Sequence, residues 1–393
     1  MRAPNVCFVI TEDWYFWSHR RHLADDLVRR GSRVDVVCNL GSGLREKMEA
    51  SGFIPHSVGM QRAGKNPWEE ARGIQRMAQL FRELKPDVVH LVGMKPIVYG
   101  SIAARLAGVP VTVCAIAGLG WLFTPGGMLK SAARMAVQTQ FRQFLAGRPG
   151  IQFLVQNTHH RDTLIQARMA KASQVSLVHG AGIDSDRFKP APEPDGPPVI
   201  LTHARMLWDK GIGEVVEAAR IVRRSFPDVR FQLVGDPDSA NPASIPQSQL
   251  EQWNSEGVVE WQPRRNDIPE LLAGANIACL PSHHEGFPLS LVEALSCGRA
   301  VVTTDIPGCR DVVSHQKSGL LVPMQNVEAL SSSILQLVNN PELRKRFGRV
   351  GRQSVLERMS CRIVNEATWS VYQSSLAQVG WSGGSDVHRK RAA

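Results

Sequence analysis

The sequence has no C-x-x-C pair and no cluster of His and Cys ligands, which argues against a structural zinc site or a dithiol redox centre. Its seven cysteines (Cys7, Cys38, Cys114, Cys279, Cys297, Cys309 and Cys361) are an odd, scattered set, mostly in apolar strand or helix contexts. They read as reduced core residues of a cytosolic protein, not as a disulfide framework. No stretch approaches the roughly 18–20 consecutive apolar residues of a membrane-spanning helix. The opening MRAPNVCFVITEDW has too short an apolar run for a secretory signal. The P-loop motif is absent, and the G-x-G-x-x-G spacing is not met. Aromatic residues are scarce at 6%, but hydrophobic residues reach 43% against 21% charged, the balance of a globular chain and not of a disordered one.

What is present is length and an uneven charge. At roughly 100–200 residues per domain, 393 residues predict two domains, each able to bury its own core. Residues 1–190 hold 25 Lys and Arg against 14 Asp and Glu, a charge of +11. The remainder holds 21 against 22, a charge of −1, which together recover the net +10. A basic N-terminal half fits a phosphate or an anionic bilayer, or is an ordinary solvated surface. Nucleic acid is disfavoured, because the cations are dispersed and no recognition motif accompanies them.

Short β-branched runs alternate with longer helical patterns. Strands are predicted at 6–10, 34–38, 88–92, 111–116, 152–156 and 176–178, with helices at 17–30, 67–84, 98–107 and 128–146. Residues 189–198, KPAPEPDGPP, contain five prolines and read as a linker. The alternation then restarts. Strands are predicted at 199–203, 230–234, 258–261, 277–280, 300–303 and 319–322, and helices include 212–225, 247–256, 267–273, 327–339 and 341–359. This is an α/β chain of two Rossmann-like halves, whose ligands bind at C-terminal strand ends, in a cleft between the halves.

The segment 276–310, NIACLPSHHEGFPLSLVEALSCGRAVVTTDIPGCR, is the most informative. It reads as strand, Gly/Pro loop, helix, strand. Glu285 lies in the loop, Gly286 permits close backbone approach, and Pro288 suits the first helical turn. The helix N-terminus is a ready phosphate site. Glu293 follows Glu285 by eight residues, inside the helix and flanked by Val292 and Ala294, where a carboxylate needs a hydroxyl or cationic partner. Two acids around a phosphate-binding helix start suit a ligand with a diphosphate and sugar hydroxyls.

This segment resembles the E-x7-E signature of retaining glycosyltransferases of the GT-B fold, family 4, with EGFP, EAL and the following GRAVV all fitting. The resemblance implies two Rossmann-like domains facing across a cleft: an acceptor domain over 1–188 and a nucleotide-sugar domain over 189–365. A C-terminal helix over 366–379 would cross back to the first domain, and 380–393 would be a disordered basic tail. It also implies that Glu285 meets the donor sugar and Glu293 the nucleotide ribose, with Gly286, Phe287, Pro288, Leu289 and Ser290 around the donor. The segment THARMLWDKGIG (202–213) is similar to the family's diphosphate grip, and Arg205 and Lys210 match its cations. Two fixed cations at a strand end neutralise two phosphates and stabilise the leaving nucleoside diphosphate. Arg205, Lys210 and Glu285 are therefore the expected catalytic residues, with Arg264 a further donor contact and no metal or other cofactor required. VHGAGIDSDRF (178–188) resembles the family's interdomain hinge.

In the N-terminal half, EDWYFWSHRR (12–21) lacks the family's usual glycine pair. It resembles a subgroup acting on polyprenyl-diphosphate-linked sugars in bacterial surface-glycan assembly. Trp14, Tyr15, Ser18, His19 and Arg20 are thereby expected to bind the acceptor. So are Lys95, in KPIVYGSIAARLAG (95–108), and Gly118, Leu119 and Gly120, in AGLGWLFT (117–124), where many family members carry a histidine. The run Trp14–Trp17 is otherwise plain core or a membrane-interface edge. His283 and His284 either line the donor pocket or lie on the surface, and His159 and His160 read as surface residues. Basic and apolar residues interleave without acids between Met128 and Arg148, a pattern that lies on an anionic bilayer or packs on a core. The expected partners are a nucleotide-sugar, UDP-linked, a polyprenyl-diphosphate-linked sugar and an anionic membrane surface. The expected place is the inner face of the cytoplasmic membrane. The competing readings are a sugar-nucleotide 2-epimerase of the same two-Rossmann shape and a non-catalytic nucleotide-sugar-binding protein.

Overall fold

Strands rich in Val, Ile and Leu that are buried along their whole length belong in parallel sheets covered on both faces. The computed structural model, which describes residues 2–59, 67–118, 127–239 and 241–383, is built from two such sheets. Unit 1 comprises residues 1–182 and 364–393, and unit 2 comprises residues 183–363.

Unit 1 contains β1 (Val6–Glu12), β2 (Val34–Asn39), β3 (Phe53–His56), β4 (Val88–Val92), β5 (Val111–Ile116), β6 (Ile151–Val155) and β7 (Val175–Leu177). Their order is β3-β2-β1-β4-β5-β6-β7, all parallel. The order reverses between β1 and β4, which register as Phe8 opposite His90. Such a switch point opens a crevice at the C-terminal strand ends. Edge strand β3 was not expected from the sequence: it is four residues long and contains Pro55, which an edge tolerates.

Unit 2 contains β8 (Val199–His203), β9 (Arg230–Val234), β10 (Glu260–Gln262), β11 (Ile277–Leu280), β12 (Ala300–Thr304) and β13 (Gly319–Val322). The order is β10-β9-β8-β11-β12-β13, again parallel, with its switch point between β8 and β11.

Three expectations need correction. The single helix expected over 17–30 is two, Asp13–His19 and Arg21–Arg29, broken at Arg20, whose φ of −126° leaves the helical range. The break re-aims the second helix so that Leu23, Ala24 and Leu27 reach the core. The proline-rich segment is no free linker. The chain passes between units at Gly182/Ile183, before it, and the segment is strapped onto unit 2. Buried Arg299 donates to Ala191 O at 2.8 Å and Pro192 O at 3.2 Å, and Arg344 pairs with Glu193 at 2.7 Å. The first residues of the tail expected from 380 are held in place. Trp381 Nε1 donates to Asp87 at 2.7 Å, and Asp87 also pairs with Arg2 at 2.7 Å; residues 384–393 lie outside the described residues.

The C-terminal helix Cys361–Gln378 joins unit 1 from Val364 on, placing Val364, Tyr372 and Leu376 in the core around β1. All seven cysteines are free, six of them buried. Burial pushes the Cys279 thiol up to about 12. No helix among the described residues is long and apolar enough to cross a membrane.

One histidine expected at the surface is buried. His160, only 7% exposed, takes a hydrogen bond at Nδ1 from Asn157 Nδ2 at 3.1 Å. Burial lowers its pKa from 6.5 to about 4, so the native state keeps it neutral where the unfolded chain protonates it. The stability this group contributes is full above pH 6.5 and is lost as pH falls from there through about 4. The melting temperature is expected to fall over that window, with a shallower slope in His160→Gln; equal slopes would remove the assignment.

Candidate active site

At the switch point of unit 2, β8 leads into Ala204–Gly211 and β11 into Pro281–Pro288. The two loops close against each other because residue 211 is glycine: its φ is +70°, and a Cβ there would stand 2.2 Å from Pro281 O. His283 N donates to Asp209 O at 2.9 Å, fixing the pair of loops. A 3₁₀ turn, Trp208–Lys210, then delivers Lys210 Nζ to 2.5 Å from Glu285 Oε1. Ser282 Oγ donates to the same oxygen at 2.8 Å. The two charged side chains are 19% and 10% exposed, so this pair is screened far less than a surface one. It is a carboxylate oriented by a cation and a hydroxyl at the mouth of a parallel sheet.

The helix Leu289–Ser296 begins directly after this loop, with Pro288 at its N-cap, one position before the expected place. Its N-terminus has no side-chain cap and no acid in the first turn, so its positive end is uncompensated. Glu293, one turn further, pairs with His203 Nε2 at 2.8 Å. The close backbone packing at this loop is made by Gly308, where a Cβ would meet Glu285 O at 2.4 Å and Gly286 O at 2.8 Å. Arg205 is not drawn to either glutamate. It pairs with Asp238 at 2.7 Å and stays 46% exposed. Arg264 is tied there by its backbone, which donates to Asp236 at 2.8 Å. His283 faces Glu214 at 2.7 Å, and His284 is exposed.

Sequence reasoning missed His203, Ser282, Glu214 and Asp238. Only His203 carried a signal, as the last residue of the strand beside the switch point. The others become partners through loops that meet in space.

In unit 1, β1 runs straight into the helix Asp13–His19. Buried Asp13 accepts from Trp14 N at 2.7 Å and Ser42 N at 2.9 Å, holding the loop. Tyr15 stacks on His19 at 4.2 Å, and Trp14 is 38% exposed. Ser18 Oγ donates to Trp14 O at 2.8 Å and lies 2.7 Å from His19 Nδ1, so its hydroxyl is engaged. Burial and the neighbouring Arg20 charge lower His19 to about 4. Lys95, beyond β4, pairs with Glu70 at 2.6 Å and lies over the Tyr99 ring. Gly118 ends the described stretch after β5; Leu119 and Gly120 lie outside the described residues.

Two parallel sheets, each with a switch point in its strand order, define a Rossmann-like α/β protein of two units. Residues 184–354 match the family described as glycosyl transferases group 1, and residues 5–145 match that described as glycosyl transferase 4-like. The chain belongs to these two-domain glycosyltransferases. It is 28% identical over 309 residues, 75% of this chain and 79% of the relative, to the N,N'-diacetylbacillosaminyl-diphospho-undecaprenol alpha-1,3-N-acetylgalactosaminyltransferase of Campylobacter jejuni. It is 23% identical to the capsular polysaccharide biosynthesis glycosyltransferase CapM of Staphylococcus aureus, over 90% of this chain and 92% of that one. Its fold is that of a Rickettsia africae glycosyltransferase, with a TM-score of 0.80 at 16% identity, covering 96% of this chain and 99% of that one. It also matches the Anabaena protein Alr3699/HepE crystallised with UDP and glucose, with a TM-score of 0.77 at 16% identity over 94% and 100% of the two chains.

Proposed function

We propose that the protein transfers a sugar from a UDP-sugar to a polyprenyl-diphosphate-linked sugar, with retention at the anomeric carbon, in the assembly of a bacterial surface glycan. The observation that carries this reading is the Lys210–Glu285 pair, held by Ser282 beside an uncapped helix start at the switch point of unit 2. Support for the acceptor comes from the Campylobacter relative, whose name specifies an undecaprenyl-diphosphate-linked sugar.

In this reading the donor diphosphate is neutralised by Lys210, by Arg205 swung from Asp238, and by the N-terminus of the helix Leu289–Ser296. Glu293 with His203 receives the ribose hydroxyls, and Glu285 with Gly286–Ser290 the sugar. Lys210 exchanges part of its contact with Glu285 for a phosphate oxygen, which frees carboxylate lone pairs for sugar hydroxyls. The C1–O bond breaks early, the leaving diphosphate takes the electron pair, and the acceptor hydroxyl attacks the same face of the oxocarbenium-like centre, its proton passing to the leaving phosphate oxygen. These cations take the role a metal ion has elsewhere, so no metal is required. Trp14, Tyr15, Ser18, His19, Arg20, Lys95 and the 118–120 segment serve the acceptor.

The test is a donor panel of UDP-GlcNAc, UDP-GalNAc, UDP-Gal, UDP-Glc and GDP-Man with a polyprenyl-diphosphate-linked sugar, and the anomeric configuration of the product. Nucleotide-sugar binding without transfer or hydrolysis would leave only a binding protein, and C2 inversion of the free donor would make it an epimerase.

A polyprenyl acceptor stays in the bilayer, so the enzyme is expected to dock on its cytoplasmic face. The stretch expected to lie there divides in two. Phe141 and Leu145 pack in the core, while Met128 and Met135 are 90% and 67% exposed and Phe144 lies under Arg105. With Arg134, Arg142 and Arg148 near the surface at about 1 kcal/mol each, binding to anionic liposomes is expected to be strong at low salt. Changing the three arginines to Glu is expected to abolish it. Equal, salt-independent partitioning to neutral and anionic liposomes would make the enzyme one that does not dock.

A further inference from the structure

The sharpest electrostatic anomaly lies in unit 1, at Arg20. The residue is 6% exposed, its Nε is wholly buried without a hydrogen-bond partner, and its guanidinium meets no Asp or Glu among the described residues. Other buried arginines differ at their terminal nitrogens, although Arg299 Nε is likewise buried without a partner. Arg344 pairs with Glu193, and Arg299 donates to three backbone carbonyls. The placement compounds the cost. Arg20 is the N-cap of the helix Arg21–Arg29, which has no side-chain cap and no acid in its first turn. A nearly buried cation therefore sits at the positive end of a helix dipole, with no carboxylate paired to it among the described residues. The groups that feel its charge are Tyr15, His19, His90 and Tyr372, none of them a carboxylate. Among them, His90 Nε2 is a second buried nitrogen without a partner, because Nδ1 is engaged by the Tyr372 hydroxyl at 2.5 Å. This group stands beside the β1–β4 switch point, where an open parallel sheet takes its ligand.

We propose that Arg20 is the anchor of an oxyanion site in unit 1 that receives the diphosphate of the lipid-linked acceptor. The proposal rests on the acceptor reading above and deepens it, because it separates Arg20 from its neighbours. Ser18 and His19 are already bonded to each other, whereas the guanidinium has donors to spare. An arriving diphosphate supplies the missing counter-charge and two or more acceptor oxygens. Diphosphate chemistry also belongs to the donor, so the test must tell the two sources apart.

The experiment measures binding of inorganic pyrophosphate to the full chain by calorimetry and by melting temperature, with the unit 2 site first saturated with UDP. Wild-type protein is expected to bind pyrophosphate beside UDP and to melt higher for it. Arg20→Gln is expected to weaken that binding at least tenfold, and Arg20→Lys less. Lys210→Ala is expected to weaken UDP binding but to leave pyrophosphate binding within about twofold. Without ligand, Arg20→Gln is expected to melt no lower than wild type, since it removes an uncompensated buried charge. Unchanged pyrophosphate binding in Arg20→Gln, or its full displacement by UDP in wild type, would overturn the proposal. So would unfolding of both Arg20→Gln and Arg20→Lys, which would make the guanidinium structural. Transfer by Arg20→Gln with an unchanged KM for the lipid-linked acceptor sinks the site but leaves the function. Arg20-dependent pyrophosphate binding without any transfer sinks the function but leaves the site.

Discussion

Lys210→Ala is expected to lower kcat/KM for the nucleotide-sugar by on the order of 10²–10³, with donor binding collapsing while the fold is retained. Among the described residues the lysine is the cation that pairs with Glu285, at 2.5 Å from its Oε1, on a turn closed by Gly211. Its loss would remove the proposed diphosphate contact and would leave the Glu285 carboxylate, 10% exposed, with Ser282. A buried polar group that loses its partner destabilises by about 1–3 kcal/mol, and a charged one by more. Two effects are therefore mixed, and a double variant separates them. Lys210→Ala with Glu285→Gln is expected to recover the stability lost and none of the activity, read by urea denaturation and by steady-state kinetics. Lys210→Arg keeps the charge but changes its geometry and is expected to fall between. A normally folded Lys210→Ala enzyme with full activity would remove the lysine from the site.

The two glutamates are expected to fail differently. Glu293 is paired with His203 and lies inside a helix, one turn from its start. A ribose contact there holds ground state and transition state alike, so Glu293→Ala is expected to raise the donor KM tenfold or more with kcat within a few-fold. Glu285 lies in the loop, fixed by Lys210 and Ser282, where the transferring sugar is expected. Its contacts strengthen as charge develops on the sugar, so Glu285→Ala is expected to lower kcat by about 10²-fold with a small change in KM. Initial-rate kinetics over a donor series separate the cases, and if both variants move KM alone, the division of roles fails.

The relation between Arg205 and Lys210 illustrates what spacing conveys and what it does not. The two cations were legible as a pair five residues apart, at the end of a strand. In the folded chain only Lys210 meets a glutamate. Arg205 turns to Asp238, because the loop after β9 is drawn in where Gly235, at φ +151°, packs against Ala204 O. Nothing local to Arg205 announces a partner 33 residues away. Arg20 is a similar case. Its sequence neighbours mark a helix start, yet its isolation depends on which side chains the β1–β4 junction and the C-terminal helix bring near it.

The sequence by itself determined the alternation of buried strands and helices, the restart after the first half, and the loop–helix segment that carries Glu285 and Glu293. These are local properties: continuous apolar runs, proline and glycine punctuation, and residues held at fixed spacing by one helix. Only the tertiary structure decided that the proline-rich segment is strapped to unit 2, that Glu293 answers to His203, and that Arg20 stands alone. Each of those depends on loops and strands distant in sequence meeting at a sheet end. There, burial turns an ordinary side chain into one that must find a partner or bind a ligand.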